Sequence, residues 1–430
     1  MDTRNLHVTL WDLVGPLART FDLMSPALAD HSLRVAYLAL RLAEEMGLEA
    51  DARREVCLAG ALHDIGAFSL DERLDLLAFE ETRPMQHAEA GYLLLREFAP
   101  FREVAGMVRC HHLAWNHGAG ETHEGRPVPR GSHLLHLADR VAVLVTPDAG
   151  VLGQVPQICA NISGRSGSVF VPEMVDAFLK LAQRDYVWLE IASGGVAAVL
   201  NRSLAGAPAE IDLESLLAFS RLICRIIDFK SAFTATHSSG VAATGEMLAR
   251  LVGFSRRECR MFQIAGYLHD LGKLAIPAEI LEKPGHLSAE EWQVMRTHVF
   301  FTYQILDPIE ALSRISAWGA LHQERLNGSG YPFHYMADDI PLGSRIMAVA
   351  DVFTAITEDR PYRRGMSQAE ALAVLQRMAR QNELDGALVD LLVRHFAALN
   401  RVRAEAQAAA AREYEDFRAA LGLEKAPATP

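Results

Sequence analysis

The sequence predicts an all-α protein built from two tandem helical units, and three observations predict it. One polar pattern is written twice along the chain, its intervals carry apolar residues at helical spacing, and no stretch shows the alternation of a half-buried strand. A length of 430 residues agrees, because it exceeds the usual size of a single hydrophobic core.

The first unit opens its pattern with His31 in DHSLRVAYLALRLAEEMG, whose apolar residues recur every three or four positions. CLAGALHDIGAF follows with His63 and Asp64, then His87, the adjacent pair His111 and His112, and Asp139 in LLHLADRVAVL. The second unit repeats the series with His237 in THSSGVAATGEMLARLVG, His269 and Asp270 in QIAGYLHDLGKL, and His298 in AEEWQVMRTHVFFTYQIL. It closes with His322, Gln323, and Asp351 in RIMAVADVFTAI. His31 and His237 each precede the histidine of their His-Asp pair by 32 residues, and His87 and His298 precede His111 and His322 by 24. Six of the seven polar positions are identical, which chance does not explain. The units are placed at residues 1–195 and 212–405, with 196–211 as a Gly-, Ser-, Ala- and Pro-containing linker. Residues 406–430 read as a solvated C-terminal helix and tail, with self-association into a homodimer as the alternative.

Composition excludes several classes. Half the residues are hydrophobic, 22% are charged and no apolar run is long enough to cross a bilayer, which argues against disorder and membrane insertion. A net charge of -12 opposes binding to a nucleic-acid polymer but leaves room for a local basic pocket holding a small phosphate ligand. Cys57, Cys110, Cys159, Cys224 and Cys259 are scattered without a CxxC spacing and read as reduced core residues. The N-terminus lacks the features of a secretory signal, so the expected compartment is the cytoplasm.

The repeated set points to metal. One such histidine alone is more often a hydrogen-bonded core residue, but imidazoles and carboxylates gathered from several helices of an apolar core need a shared partner, and a cation supplies it. A His-Asp pair at a helix end can offer its imidazole to one metal and a bridging carboxylate to a second. Two such cations polarise a phosphoryl group and lower the pKa of a water.

HDLGK, the downstream His298, HQERLNGSGYP and VADVFTAITEDRPYRR together resemble the HD-GYP phosphodiesterases, over nearly the whole second unit. Gly330, Tyr331 and Pro332 are the most specific part. The resemblance implies HD-type helical domains that hydrolyse cyclic di-GMP or 3',3'-cyclic GMP-AMP with divalent cations, commonly iron or manganese. It implies that His237, His269, Asp270 and Asp351 hold one metal, with Asp270 bridging to a second held by His298 and His322. Gln323 stands where the family usually has a second histidine, and its amide oxygen is a weaker ligand. Lys273 resembles the family lysine near the scissile phosphate, which stabilises developing charge or protonates the leaving ribose oxygen. Arg360 and Arg363 resemble the arms that grip phosphate and guanine. Their alternatives are a helix-terminal cation and a solvated basic turn. Gly330 and Tyr331 are placed at the substrate, although their loop could be structural or face a partner protein.

Phe233 occupies the position of a glutamate found in three-metal members, so two metals at most are expected. The first unit keeps a full ligand set in His31, His63, Asp64, His87, His111, His112 and Asp139, and metal is expected there too. It has Ala67 in place of Lys273, WNHGAGETHEGRPVPRG in place of the Gly-Tyr-Pro loop and nothing resembling DRPYRR. Its expected role is regulatory, sensory or structural, with a separate phosphohydrolase activity as the alternative. For the whole chain the competing reading is a cyclic-dinucleotide receptor or adaptor in which Gln323 has weakened catalysis.

Overall fold

The computed structural model describes residues 5–23, 25–79, 84–146, 150–204, 210–230, 236–283, 285–359 and 363–423. It divides into two compact units, Thr9–Ala209 and Glu210–Pro430, the second joined by Met1–Val8. Both units are helical, and the sheets among the described residues are two short pairs. Asn5–Thr9 pairs with Glu210–Asp212, which groups the first residues with the second unit. Thr122–His123 pairs antiparallel with Arg126–Pro127 around Glu124 and Gly125, whose positive φ angles suit a two-residue hairpin turn. Strands of two to five residues are too short to leave an alternating pattern.

In the first unit, helix His31–Glu45 packs against Ala50–Leu62 and Arg130–Leu144, burying Leu33, Val35, Ala36, Leu40 and Ala43. In the second, helix His237–Val252 packs against Arg256–Leu268, Leu342–Thr357 and Phe396–Ala420. Two glycines per unit set how closely the ligand-bearing segments approach. A Cβ on Gly60 or Gly266 would overlap the backbone of Ala36 or Ala242 on the helix that begins with the first histidine. A Cβ on Gly66 or Gly272 would overlap the carbonyl oxygen of His87 or His298. The glycine two places after each His-Asp pair therefore presses that turn against the helix of the next histidine. Gly272→Ala is expected to cost about 1–3 kcal/mol of stability through overpacking, read as a lowered midpoint in urea unfolding.

Two segments differ from expectation. Val196–Leu204, expected within a linker, is a helix that buries Val196, Val199, Leu200 and Leu204, and Asn201 Oδ1 accepts a hydrogen bond from Trp11 Nε1 at 2.7 Å. Its helical spacing outweighs the turn-forming residues around it; residues 205–209 lie outside the described set. The C-terminal helix runs unbroken from Phe396 to Ala420 through the expected boundary at 405, and its inner part buries Phe396, Leu399, Arg403 and Gln407. Cys57, Cys110, Cys224 and Cys259 are buried, Cys159 is half-buried and all five are free thiols. Among the described residues no helix is long and apolar enough to cross a membrane.

Two candidate metal centres

In the second unit the candidate ligands sit at the ends or buried faces of separate helices. His237 opens its helix, His269 and Asp270 follow Arg256–Leu268, and His298 lies within Ala289–Leu306. His322 and Gln323 follow Ser313–Ala320, and Asp351 lies on Leu342–Thr357. All are buried except Gln323, which is half-buried. Three imidazoles are oriented by their own backbone: Nδ1 of His269, His298 and His322 faces the carbonyl oxygen of Gly266, Met295 and Gly319 at 2.8, 2.6 and 2.7 Å. An acceptor there requires a proton on Nδ1, so that in the neutral ring the lone pair lies on Nε2.

Those three Nε2 atoms are buried and make no hydrogen bond. Asp270 stands among them, with Oδ2 3.1 Å from His269 Nε2 and Oδ1 3.3 Å from His298 Nε2 and 3.9 Å from His322 Nε2. Its two oxygens thus face different histidines, as a bridging carboxylate requires. His237 Nε2 lies 3.1 Å from Asp351 Oδ1, and the ligand atoms of His237, His269 and Asp351 fall within 4.8 Å of one another. Buried lone pairs and carboxylates converging in this way fit divalent cations.

Burial and neighbouring charges set the protonation of these groups. Burial, with His269 nearby, pushes His322 down to about 3. Burial opposes ionisation of Asp270 and Asp351, but His269 and Lys273 beside the first and His237 beside the second hold both carboxyls well below the usual range. Burial also opposes a charge on His237, yet Glu358 and Asp351 outweigh it and raise the imidazole to about 10. In the first unit Asp64 similarly raises His63 to about 9 against burial. A cation must displace these protons. Titrating manganese into metal-free chain near pH 7.5 is expected to release about one proton per unit. Affinity should rise with pH until each histidine has titrated. Calorimetry in buffers of different ionisation enthalpy counts the protons.

Around the pair, Lys273 Nζ donates to Asp270 Oδ2 at 2.6 Å. Buried Lys230 donates to the carbonyls of Leu274 and Ile276 at 2.7 and 2.8 Å. The Thr302 hydroxyl donates to His269 O and accepts from Gly272 N. Gln323 Nε2 donates to Asp351 Oδ2 at 3.1 Å, so its amide meets a carboxylate expected on the metal. Buried Glu324 accepts from the amides of Phe333 and Tyr335 at 2.8 and 3.1 Å and holds the Gly-Tyr-Pro loop. Gly330 is explained by packing, since a Cβ there would overlap the backbone of Glu324 and Arg325. Tyr331 packs under the Arg296 guanidinium at 4.6 Å, and burial pushes its hydroxyl up to about 12. Arg363 donates to Ala355 O at 2.6 Å. Arg360 and Phe233 lie outside the described residues.

The first unit brings its seven candidates together as well. Asp64 Oδ2 is 3.2 Å from His63 Nε2, and Oδ1 is 3.4 and 3.8 Å from His87 and His111 Nε2. Asp139 Oδ1 is 3.3 Å from His31 Nε2 and 3.7 Å from His63 Nε2. The ligand atoms of Asp64, His87, His111 and His112 lie within 4.8 Å of one another, so His112 supplies an imidazole where the second unit has Gln323. Buried Arg140, where the second unit has Val352, donates to Asp139 and to the carbonyls of Leu76, Ala78 and Phe79. Arg73 donates to the carbonyls of Asp64 and Ala67, doing for this turn what Lys230 does for the other.

Sequence reasoning missed a second repeated pair. Asp22 accepts from the amide and hydroxyl of Ser32 at 3.0 and 2.9 Å, and Asp228 accepts from the hydroxyl of Ser238 at 3.1 Å. Each serine follows the first histidine of its unit, so the aspartate fixes the helix end that carries it. Burial raises Asp22 to about 6 and Asp228 to about 7. The signal was present, because both residues stand at equal offsets in the two halves.

Comparison with known proteins bears on this arrangement. Two family profiles, each described as HD domain, match residues 221–388 and 28–144. The 3'3'-cGAMP-specific phosphodiesterase 1 of Vibrio cholerae is 30% identical over 389 residues, covering 88% of this chain and 90% of its own. The cyclic di-GMP phosphodiesterase response regulator RpfG of Xanthomonas campestris is 35% identical over 217 residues, which span 50% of this chain and 56% of its own. A crystal structure of the cyclic GMP-AMP phosphodiesterase V-cGAP3 of Vibrio cholerae shares the fold with a TM-score of 0.59 at 22% identity, over 94% of this chain and 97% of that one. With similarity running nearly end to end and a His/Asp centre in each half, the chain belongs to the HD-GYP family of cyclic-dinucleotide phosphodiesterases and carries two HD domains in tandem.

Proposed function

We propose that the C-terminal unit hydrolyses a phosphodiester bond of a cyclic dinucleotide, cyclic di-GMP or 3',3'-cyclic GMP-AMP, and that the N-terminal unit is regulatory or structural. The observation that carries this reading is the unequal equipment of two similar centres. Lys273 places an ammonium on the bridging carboxylate Asp270, whereas Ala67 offers nothing at the matching position. The buried cation of the first unit, Arg140, is bound to Asp139 and to backbone carbonyls, so its charge serves the fold.

Two divalent cations, iron or manganese in keeping with an imidazole and carboxylate donor set, would be held by His237, His269, Asp270, His298, His322 and Asp351. They would supply Lewis acidity to a phosphoryl oxygen and lower the pKa of a water. Gln323 keeps Asp351 in place through its amide rather than by offering a further imidazole. Lys273, half-buried beside Asp270, stabilises negative charge on the phosphoryl group or gives its proton to the departing ribose oxygen. Arg363 and Arg360 bind phosphate and the guanine edge through their planar forks, and Tyr331 borders the site. Burial of the ligand atoms excludes bulk water and strengthens these interactions.

The test is incubation of manganese- or iron-loaded full chain with each dinucleotide, followed by chromatography of the products. A linear dinucleotide is expected from at least one of them, and competition between the two ranks the bases. Binding of both without turnover under either metal would replace this reading with the receptor, which the Gln323 amide on Asp351 favours.

A further inference from the structure

Five candidate ligand imidazoles, His63, His111, His269, His298 and His322, direct Nδ1 at the carbonyl oxygen three residues earlier. His237 opens its helix, so no preceding turn of that helix offers such a carbonyl. Its Nδ1 instead lies 3.1 Å from Oε2 of Glu358, a buried carboxylate just beyond the helix that carries Asp351. The same Oε2 accepts from Gln407 Nε2 at 2.9 Å. Gln407 is buried on the C-terminal helix, where Arg403 donates to its side-chain oxygen and Asn400 holds Arg403 at 2.9 and 3.0 Å. Gly240 leaves the space Gln407 occupies, since a Cβ there would stand 3.1 Å from its side chain. The first unit has Thr146 at the place of Glu358, seven residues after its aspartate.

We propose that Glu358, held by Gln407 and Arg403, is a positioning residue that fixes the proton of His237 on Nδ1 and so strengthens Nε2 as a metal ligand. The C-terminal helix is thereby part of the centre. This inference rests on His237 being a ligand in the C-terminal unit. An ionised carboxylate on the distal N–H orients the ring and raises its basicity more than a backbone carbonyl does. A buried glutamate in turn needs donors, and Gln407 supplies one. Displacing the C-terminal helix would withdraw that donor, which links its seating to metal affinity.

The experiment measures manganese retained by full chain after equilibrium dialysis against graded chelator, in an Asp64→Asn background that removes the bridging carboxylate of the first unit. Glu358→Gln keeps shape and loses charge. It is expected to bind the same number of ions at saturation, with a dissociation constant raised about 10–100-fold and an unchanged helical content. Gln407→Ala should shift the constant in the same direction by a smaller factor, and it serves as the independent probe if the first variant folds poorly. An unchanged constant in both variants overturns the proposal, as does loss of one ion at saturation, which would make Glu358 itself a ligand. Asp270→Ala in the same background separates the two readings: if it loses no metal, the C-terminal centre itself is misassigned.

Discussion

Asp270→Ala is expected to strip the C-terminal unit of its cations and to lower cyclic-dinucleotide hydrolysis by at least about 10³-fold. The magnitude follows from position. One oxygen of Asp270 faces His269 and the other faces His298 and His322, so alanine removes the single group common to both halves of the centre. It also leaves buried imidazoles without a carboxylate and Lys273 without its partner. The matched variant Asp64→Ala removes the corresponding group of the first unit and is expected to leave turnover close to that of the parent. Metal content by mass spectrometry and initial rates, measured side by side, check both. An equal loss of rate in Asp64→Ala would show that the first unit takes part in turnover and that the two units do not divide the labour.

Lys273→Met is expected to lower kcat by about 10²–10⁴-fold, the range for a positioned proton donor, with little change in KM. Methionine keeps the length of the side chain and removes its charge. Because the ammonium sits 2.6 Å from Asp270 Oδ2, its loss cannot weaken cation binding by removing attraction; it removes a competing positive charge. Metal content should therefore equal or exceed that of the parent. Turnover within tenfold of the parent would reduce Lys273 to a partner that holds Asp270 in place.

The repeated polar series made most of this legible. Candidate ligands separated by up to 114 positions, as His237 and Asp351 are, could be grouped in one centre because the same residues recur in step in the other half. The glycine after each His-Asp pair was visible as a motif, but its reason, the carbonyl of His87 or His298 behind it, is a tertiary contact. Lys230 and Arg73 perform one task from unrelated positions, so no comparison of the halves reveals either. Glu358 was hidden differently: it lies within the stretch that carries the family resemblance, yet its partners His237 and Gln407 are 121 and 49 residues away. The Val196–Leu204 helix was masked by the glycines, serines and alanines around it, although its buried residues keep helical spacing.

On the proposed function, the phosphate of a cyclic dinucleotide is processed at the second centre and not at the first. The most direct measurement is a crystal of manganese-loaded chain soaked with a hydrolysis-resistant phosphorothioate cyclic dinucleotide, with anomalous scattering locating manganese and sulfur. The predicted result is manganese at both His/Asp centres, with the ligand's phosphorothioate beside Asp270 and Lys273 alone. A phosphorothioate beside Asp64, or manganese absent from the cluster of His237, His269, Asp270 and Asp351, would contradict it.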